Sequence, residues 1–155
     1  MRNVELVNKL INLNYKICFA ESCTGGMVSS SIVDVNDASK VLDMSFVTYA
    51  NSAKMNLLGV DYRIIEKYGV VSEEVAYQMA VGAKNKSASN VGVGITGIAG
   101  PNGGTDSKPV GMVCFGFVIN DKTYTFTKQF GNVGRTNVRV ESTNFVIDKL
   151  LELLD

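Results

Sequence analysis

The sequence contains no histidine and no tryptophan, and only two prolines and three cysteines among its 155 residues. Without histidine, a Ser-His-Asp triad, a Cys-His pair and every His-ligated metal site are excluded. Cys18, Cys23 and Cys114 are odd in number and lack Cys-x-x-Cys spacing. Cys18 and Cys114 sit in apolar runs and read as small core residues, whereas Cys23, beside Ser22, is the one to consider as reactive. Charge of one sign is also missing: 15 basic residues balance 15 acidic ones. No global field therefore draws the chain to nucleic acid or anionic lipid. No apolar run approaches the roughly 18 residues of a membrane span, and the N-terminus carries no signal-peptide pattern. The expectation is a cytoplasmic protein without membrane or nucleic-acid partners. With no linker and no internal repeat, residues 1–155 are expected to form one domain.

The periodicity alternates between helix and strand. Val4, Val7, Leu10 and Ile11 mark one stripe of an opening helix. A strand is expected over Tyr15–Ala20, a helix from Met27, a second strand over Val41–Ala50, with its first residues open to a loop reading, and a helix over Asn51–Leu58 stopped by Gly59. Glu73–Lys86 reads as a helix capped by Ser72, and Val91–Ile95 as a strand. Strands over Gly111–Ile119 and Thr123–Phe130, joined at Asn120-Asp121-Lys122, form an antiparallel hairpin. Val140, Ile147, Leu150, Leu151 and Leu154 set one face of a closing helix. This order predicts an α/β fold, a three-layer α/β/α sandwich whose mixed sheet includes an antiparallel C-terminal hairpin.

Four stretches carry candidate chemistry. In Ala20-Glu21-Ser22-Cys23-Thr24-Gly25-Gly26 a strand passes through a glycine turn into a helix. Ser22 at that turn suits a nucleophile served by backbone N–H groups, and it equally suits a helix cap. With no histidine, a base for Ser22 would be a lysine, a carboxylate, a tyrosine or a water. The segment Gly94–Thr105 has glycine at 94, 97, 100, 103 and 104, a backbone able to approach an anion closely. Gly92, Gly94 and Gly97 match dinucleotide-binding spacing, but Pro101, Gly103 and Gly104 oppose the helix that motif requires. A loop this long inside a compact domain reads as a binding loop rather than a mere connection. Tyr49, Asn51 and Lys54 stand where a strand meets a helix, with a solvated surface lysine the plainer reading of Lys54. Arg135 and Arg139 share a face of the last helix and suit a phosphate or carboxylate, or a surface ion pair with Glu141.

Together, Ala20–Gly26, Tyr49-x-Asn51-x-x-Lys54, Gly94-x-Thr96-Gly97-x-Ala99-Gly100-Pro101 through Thr105, and Arg135-x-x-x-Arg139 resemble the C-terminal domain family of the competence/damage-inducible protein CinA. The similarity covers nearly the whole chain. It implies a nicotinamide-nucleotide amidohydrolase, which converts nicotinamide mononucleotide (NMN) and water to nicotinate mononucleotide and ammonia in pyridine-nucleotide salvage. It further implies Ser22 as nucleophile and Lys54 as base, with Tyr49, Thr96 and Arg139 supporting the site or touching substrate. Backbone N–H groups around Cys23 to Gly26 would then hold the oxyanion, so that Thr24, Gly25, Gly26, Asn51, Gly97, Gly100 and Arg135 join the expected substrate-binding set. Gly134 stands where many members carry Asp or Asn, which leaves Arg135 less firmly assigned than Arg139. No metal or organic cofactor is expected. Other members fuse this domain to an N-terminal nucleotide-hydrolysing domain, which is not expected in these residues. The hairpin is expected to favour a homo-oligomer, a dimer or higher. The competing readings are a nucleotide-binding sensor without turnover, for which Lys54 need not be a base, and an interaction module of DNA uptake or repair, which neutral charge disfavours.

Overall fold

A computed structural model describes all residues, Met1–Asp155. Its elements run α1 (Arg2–Leu13), β1 (Ile17–Glu21), α2 (Met27–Val33), β2 (Phe46–Val47), α3 (Asn51–Leu58), α4 (Tyr62–Tyr68), α5 (Glu73–Ser87), β3 (Val91–Gly97), β4 (Met112–Ile119), β5 (Lys122–Gln129) and α6 (Arg135–Leu153). The five strands form one sheet in the order β2-β1-β3-β4-β5. β2 and β3 both run parallel to β1, while β4 and β5 are antiparallel to their neighbours. The fold is the expected three-layer α/β/α sandwich with a mixed sheet and a C-terminal hairpin.

Alternation along β1 divides the core. Ile17 and Phe19 face the layer of α1, α2 and α6, where Leu6, Leu10, Ile32, Val146 and Leu150 are buried with Val93, Phe115 and Phe117. Cys18 and Ala20 face the layer of α3, α4 and α5, against Leu58, Ile65, Val75, Met79 and Ala83. Helix α5 lies close against the sheet for a reason visible in β3 and β4. A Cβ on Gly92 or Gly94 would lie 2.2 Å from a carbonyl oxygen of α5 (Ala80 or Ala76), and one on Gly116 would lie 2.6 Å from that of Ala76. The Gly92-x-Gly94 spacing therefore serves the seating of α5 on the sheet and not a dinucleotide loop.

Ser72 caps α5, accepting from the Val75 N–H at 3.2 Å, and Gly59 closes α3 in the left-handed conformation. Four expectations require correction. The second strand shrinks from Val41–Ala50 to Phe46–Val47, because upstream of it the Ser45 hydroxyl takes the Phe19 N–H that a paired strand would have taken. The hairpin turn has two residues rather than three, since Lys122 already pairs with Ile119 and Asn120 supplies the positive φ of 53°. Val140 and Val4 are exposed, and the inner face of α6 carries Val138, Ser142, Thr143 and Val146 beside Ile147 and Leu150. Helix α4 was not anticipated. Its signals are Asp61, whose side chain accepts from the Arg63 N–H, an Ile64-Ile65 pair and Gly69 beyond the end.

Chain direction locates the functional edge. From β1 the chain crosses to β2 on one side of the sheet, and from β2 it returns past β1 to β3 on the other. The C-terminal ends of β1 and β3 thus border a topological switch point, where open α/β sheets form their crevice. Glu21 is in register with both Val47 and Ile95, so the residues that follow, Ser22, Thr48 and Thr96, emerge at one edge.

Candidate active site

Two ionisable side chains flank the turn after β1, and each is buried in its own way. Glu21, fully buried, turns its carboxylate to the N-terminus of α2. There it accepts from the N–H groups of Gly26 (3.2 Å), Val28 (3.0 Å) and Ser29 (2.9 Å), and from the Ser29 hydroxyl (2.6 Å). The helix end thus receives its anion from Glu21, and Ser22 is not the cap. Ser22, 8% exposed, is left free to face the cleft.

Lys54, only 1% exposed, lies on the first turns of α3 and reaches back under the β1 turn. Its Nζ stands 3.1 Å from Ser22 Oγ, 2.9 Å from the Thr48 carbonyl oxygen and 3.1 Å from that of Tyr49. No carboxylate pairs with it; the seven ion pairs of the chain all lie elsewhere. Burial pushes its pKa below the ordinary lysine value, opposed only by the nearby Cys23. Lys54 is therefore not the solvated lysine that its surroundings in sequence suggest. Cys23, the one thiol worth considering as reactive, is buried, and desolvation pushes its pKa up to about 11. It is a neutral thiol near pH 7 and a poor nucleophile.

A cleft of about 260 Å³ opens over Ser22. Ser22 and Cys23 form its floor, Tyr49, Asn51 and Lys54 one side, and Thr96–Gly100 with Asn102 and Gly103 the other. Val70 and Val71, between α4 and α5, and Arg135 of α6 complete it. The Thr96 hydroxyl donates to the Val70 carbonyl at 3.0 Å, which joins β3 to that connection. Arg135 bridges the mouth, donating to the Gly100 carbonyl and to the Tyr49 hydroxyl, both at 2.7 Å.

Several sequence-selected residues take other places. Arg139 does not line the cleft; it donates to the carbonyls of Cys23 and Thr24, each at 3.0 Å, and so braces the turn from behind. Gly25, at φ +58°, makes room for it, since a Cβ there would lie 3.2 Å from the guanidinium. Arg135 thus borders the cleft and Arg139 supports its floor. Thr24, Gly25 and Gly26 do not line the cleft either. The Gly25 N–H is held by the Ser22 carbonyl and the Gly26 N–H by Glu21. Of the N–H groups from Cys23 to Gly26, those of Cys23 and Thr24 remain without a partner in the chain. Sequence reasoning missed Glu21 as the cap of α2 and Val70 and Val71 as lining. The acidic residue just before a strand-to-helix turn was the available signal for the first, and no signal marked the second pair.

The fold and this geometry define a class: an α/β protein with a hydroxyl and a buried, counterion-free lysine at the switch point of its sheet. A family model described as the CinA C-terminal domain matches residues 2–154, and the chain belongs to that family. It is 40% identical over 149 residues to a nicotinamide-nucleotide amidohydrolase of Enterobacter agglomerans, covering 96% of this chain and 91% of that protein. It is 45% identical over 145 residues to a CinA-like protein of Fervidobacterium nodosum, covering 91% of this chain and 34% of that one. The chain thus spans about a third of the length of that relative and of a similar one from Kosmotoga olearia. The crystal structure of a competence/damage-inducible protein from Agrobacterium tumefaciens superposes with a TM-score of 0.94 at 36% identity, covering 100% of this chain and 97% of that chain. A CinA superfamily protein from Escherichia coli does so with a TM-score of 0.94 at 36% identity, covering 98% of this chain and 88% of the other. No helix of the structure is long and apolar enough to cross a membrane.

Proposed function

We propose that this chain is an amidohydrolase that removes ammonia from nicotinamide mononucleotide, with Ser22 as nucleophile and Lys54 as its base. The observation that most supports the reading is the Lys54 Nζ, 3.1 Å from Ser22 Oγ, buried and without a counterion. A neutral amine has two N–H bonds and one lone pair. The carbonyls of Thr48 and Tyr49 account for the two N–H bonds, so the lone pair points to Ser22. In that state Lys54 accepts the Ser22 proton as Oγ adds to the carboxamide carbon. The developing oxyanion is met by the free N–H of Cys23, which lines the cleft, a kind of contact worth roughly 3–4 kcal/mol of barrier. The Lys54 ammonium then returns its proton to the leaving nitrogen and ammonia departs. Water, deprotonated by Lys54, cleaves the acyl-Ser22 ester, giving the carboxylic acid and regenerating the hydroxyl.

The rest of the cleft serves the nucleotide. Arg135 and the glycine-rich backbone from Gly97 to Gly103 suit the phosphate and ribose, with Thr96, Tyr49 and Asn51 around them. Binding energy from those groups orients a small carboxamide that by itself offers little to hold. The relative from Enterobacter agglomerans, named for this activity, supports the choice of substrate. Purified protein incubated with NMN is expected to release ammonia and nicotinate mononucleotide, and Ser22→Ala to release neither. NMN binding without turnover in the wild type would instead identify a sensor domain.

A further inference from the structure

Lys108, unlike Lys54 with its Ser22 contact, has its ammonium held by backbone carbonyls alone. Its Nζ donates to the carbonyls of Tyr68 and, at 2.6 Å, of Val71, 40 and 37 residues away in sequence. No carboxylate pairs with it. Tyr68 ends α4, so its carbonyl is one of the orphan acceptors of a helix C-terminus. Gly69, the next residue, leaves the space: a Cβ there would lie 2.5 Å from the ammonium. At the other end, the Lys108 backbone closes a turn on Thr105, with Thr105 N–H to Lys108 carbonyl at 2.8 Å and Lys108 N–H to Thr105 Oγ1 at 3.1 Å.

Between these anchors the chain is thinly held. Residues Pro101 to Ser107 are all exposed, and from Ala99 to Gly104 no backbone N–H has a partner within the chain. Two cations from opposite sides compensate: Arg135 grips the Gly100 carbonyl, and Lys108 grips the end of α4 and the connection beyond it. That connection supplies Val70 and Val71 to the cleft, and the loop supplies Ala99, Gly100 and Gly103.

We infer that Lys108 is a positioning residue for the cleft, docking the glycine-rich loop onto the α4–α5 connection so that the two present one fixed substrate-binding wall. It touches no reacting atom; it acts through the wall, and so on substrate affinity more than on the chemical step. For the identity of the substrate this inference rests on the function proposed above. The test compares wild type, Lys108→Met and Lys108→Arg by hydrogen exchange at the bonded amides that frame the loop, those of Ile98, Thr105 and Gly111, and by kcat and KM for NMN. Lys108→Met is expected to speed exchange at these amides and raise KM, each about ten-fold, with kcat changed by less than about two-fold. Lys108→Arg, which keeps a cation able to donate to both carbonyls, is expected to restore most of both. Unchanged exchange in Lys108→Met, a fall in kcat at constant KM, or a Lys108→Met chain that does not fold would overturn the inference. If the wild type releases no ammonia from NMN, the proposed function fails, while the exchange comparison still decides the role of Lys108.

Discussion

The two sides of the Ser22 turn hold opposite buried charges and treat them oppositely. On the α2 side Glu21 meets four donors and is locked to the helix end. On the α3 side Lys54 meets two carbonyls and the Ser22 hydroxyl. Although the two charges flank the same turn, they do not pair with each other. Had they paired, the carboxylate would have stabilised the lysine's charge and left a poor base. Giving Glu21 to the helix dipole keeps Lys54 without a counterion, so that desolvation alone sets the direction of its pKa. A buried charge satisfied by fixed dipoles is a brace; one facing a hydroxyl at a cleft can exchange a proton.

That contrast breaks most visibly at Lys54. On the proposed assignment, Lys54→Met lowers kcat for NMN by about a thousand-fold, the scale of losing a general base, while circular dichroism and the melting curve retain a folded transition. A loss under ten-fold would remove Lys54 from the chemistry. On the other side, Glu21→Ala strands three N–H groups and the Ser29 hydroxyl, and denaturant unfolding should show a stability loss of about 3 kcal/mol. Unchanged stability would mean that water replaces the carboxylate without cost. Arg139→Met tests the brace behind the turn. Freeing the carbonyls of Cys23 and Thr24 loosens the turn that carries the Cys23 N–H assigned to the oxyanion, so steady-state kinetics should give kcat down about ten-fold with KM little changed. A rise in KM alone would place Arg139 on the substrate. The smallest effect lies in the pH profile. On the same proposed assignment the base is neutral Lys54, whose fraction grows as pH rises, so kcat should increase with pH along an acid limb. Because burial lowers the folded pKa, that limb should be centred below the ordinary lysine value of about 10.4. A limb centred at or above that value would show Lys54 to be as basic as a solvated lysine.

Much of the fold was legible because it is written in short-range signals. Ser72 before Glu73-Glu74, Gly59 after Leu58 and the apolar run Ile17 to Ala20 are local features, and the elements they predict are present. The failures fall where long-range contacts overrule local preference. Val41–Ala50 reads as a strand in sequence, but only Phe46 and Val47 join the ladder with β1, while Val41, Ser45 and Thr48 make single bonds to it. Val140 fits an apolar stripe by spacing, yet 38% of it remains exposed because α6 turns Val138, Ser142 and Val146 inward. Helix α4 has seven residues, too few to raise a clear periodic signal.

The candidate site divides in the same way. Absence of histidine, the glycine turn after Ser22 and the glycines from 94 to 104 are matters of composition and order, and they limited the chemistry before any coordinates. Which hydroxyl meets which amine is a matter of distance between segments 32 residues apart. The same holds for the separate places of Arg135 and Arg139, for Glu21 taking the helix end from Ser22, and for Lys108 reaching across to α4. Sequence by itself determined the order of elements and the kinds of side chain at the edge of the sheet, since propensity, capping and turn chemistry act within a few residues. Only the tertiary structure decided which of those side chains lose water together. Desolvation, and the proton affinities that follow from it, depends on what packs around a group rather than on its neighbours along the chain.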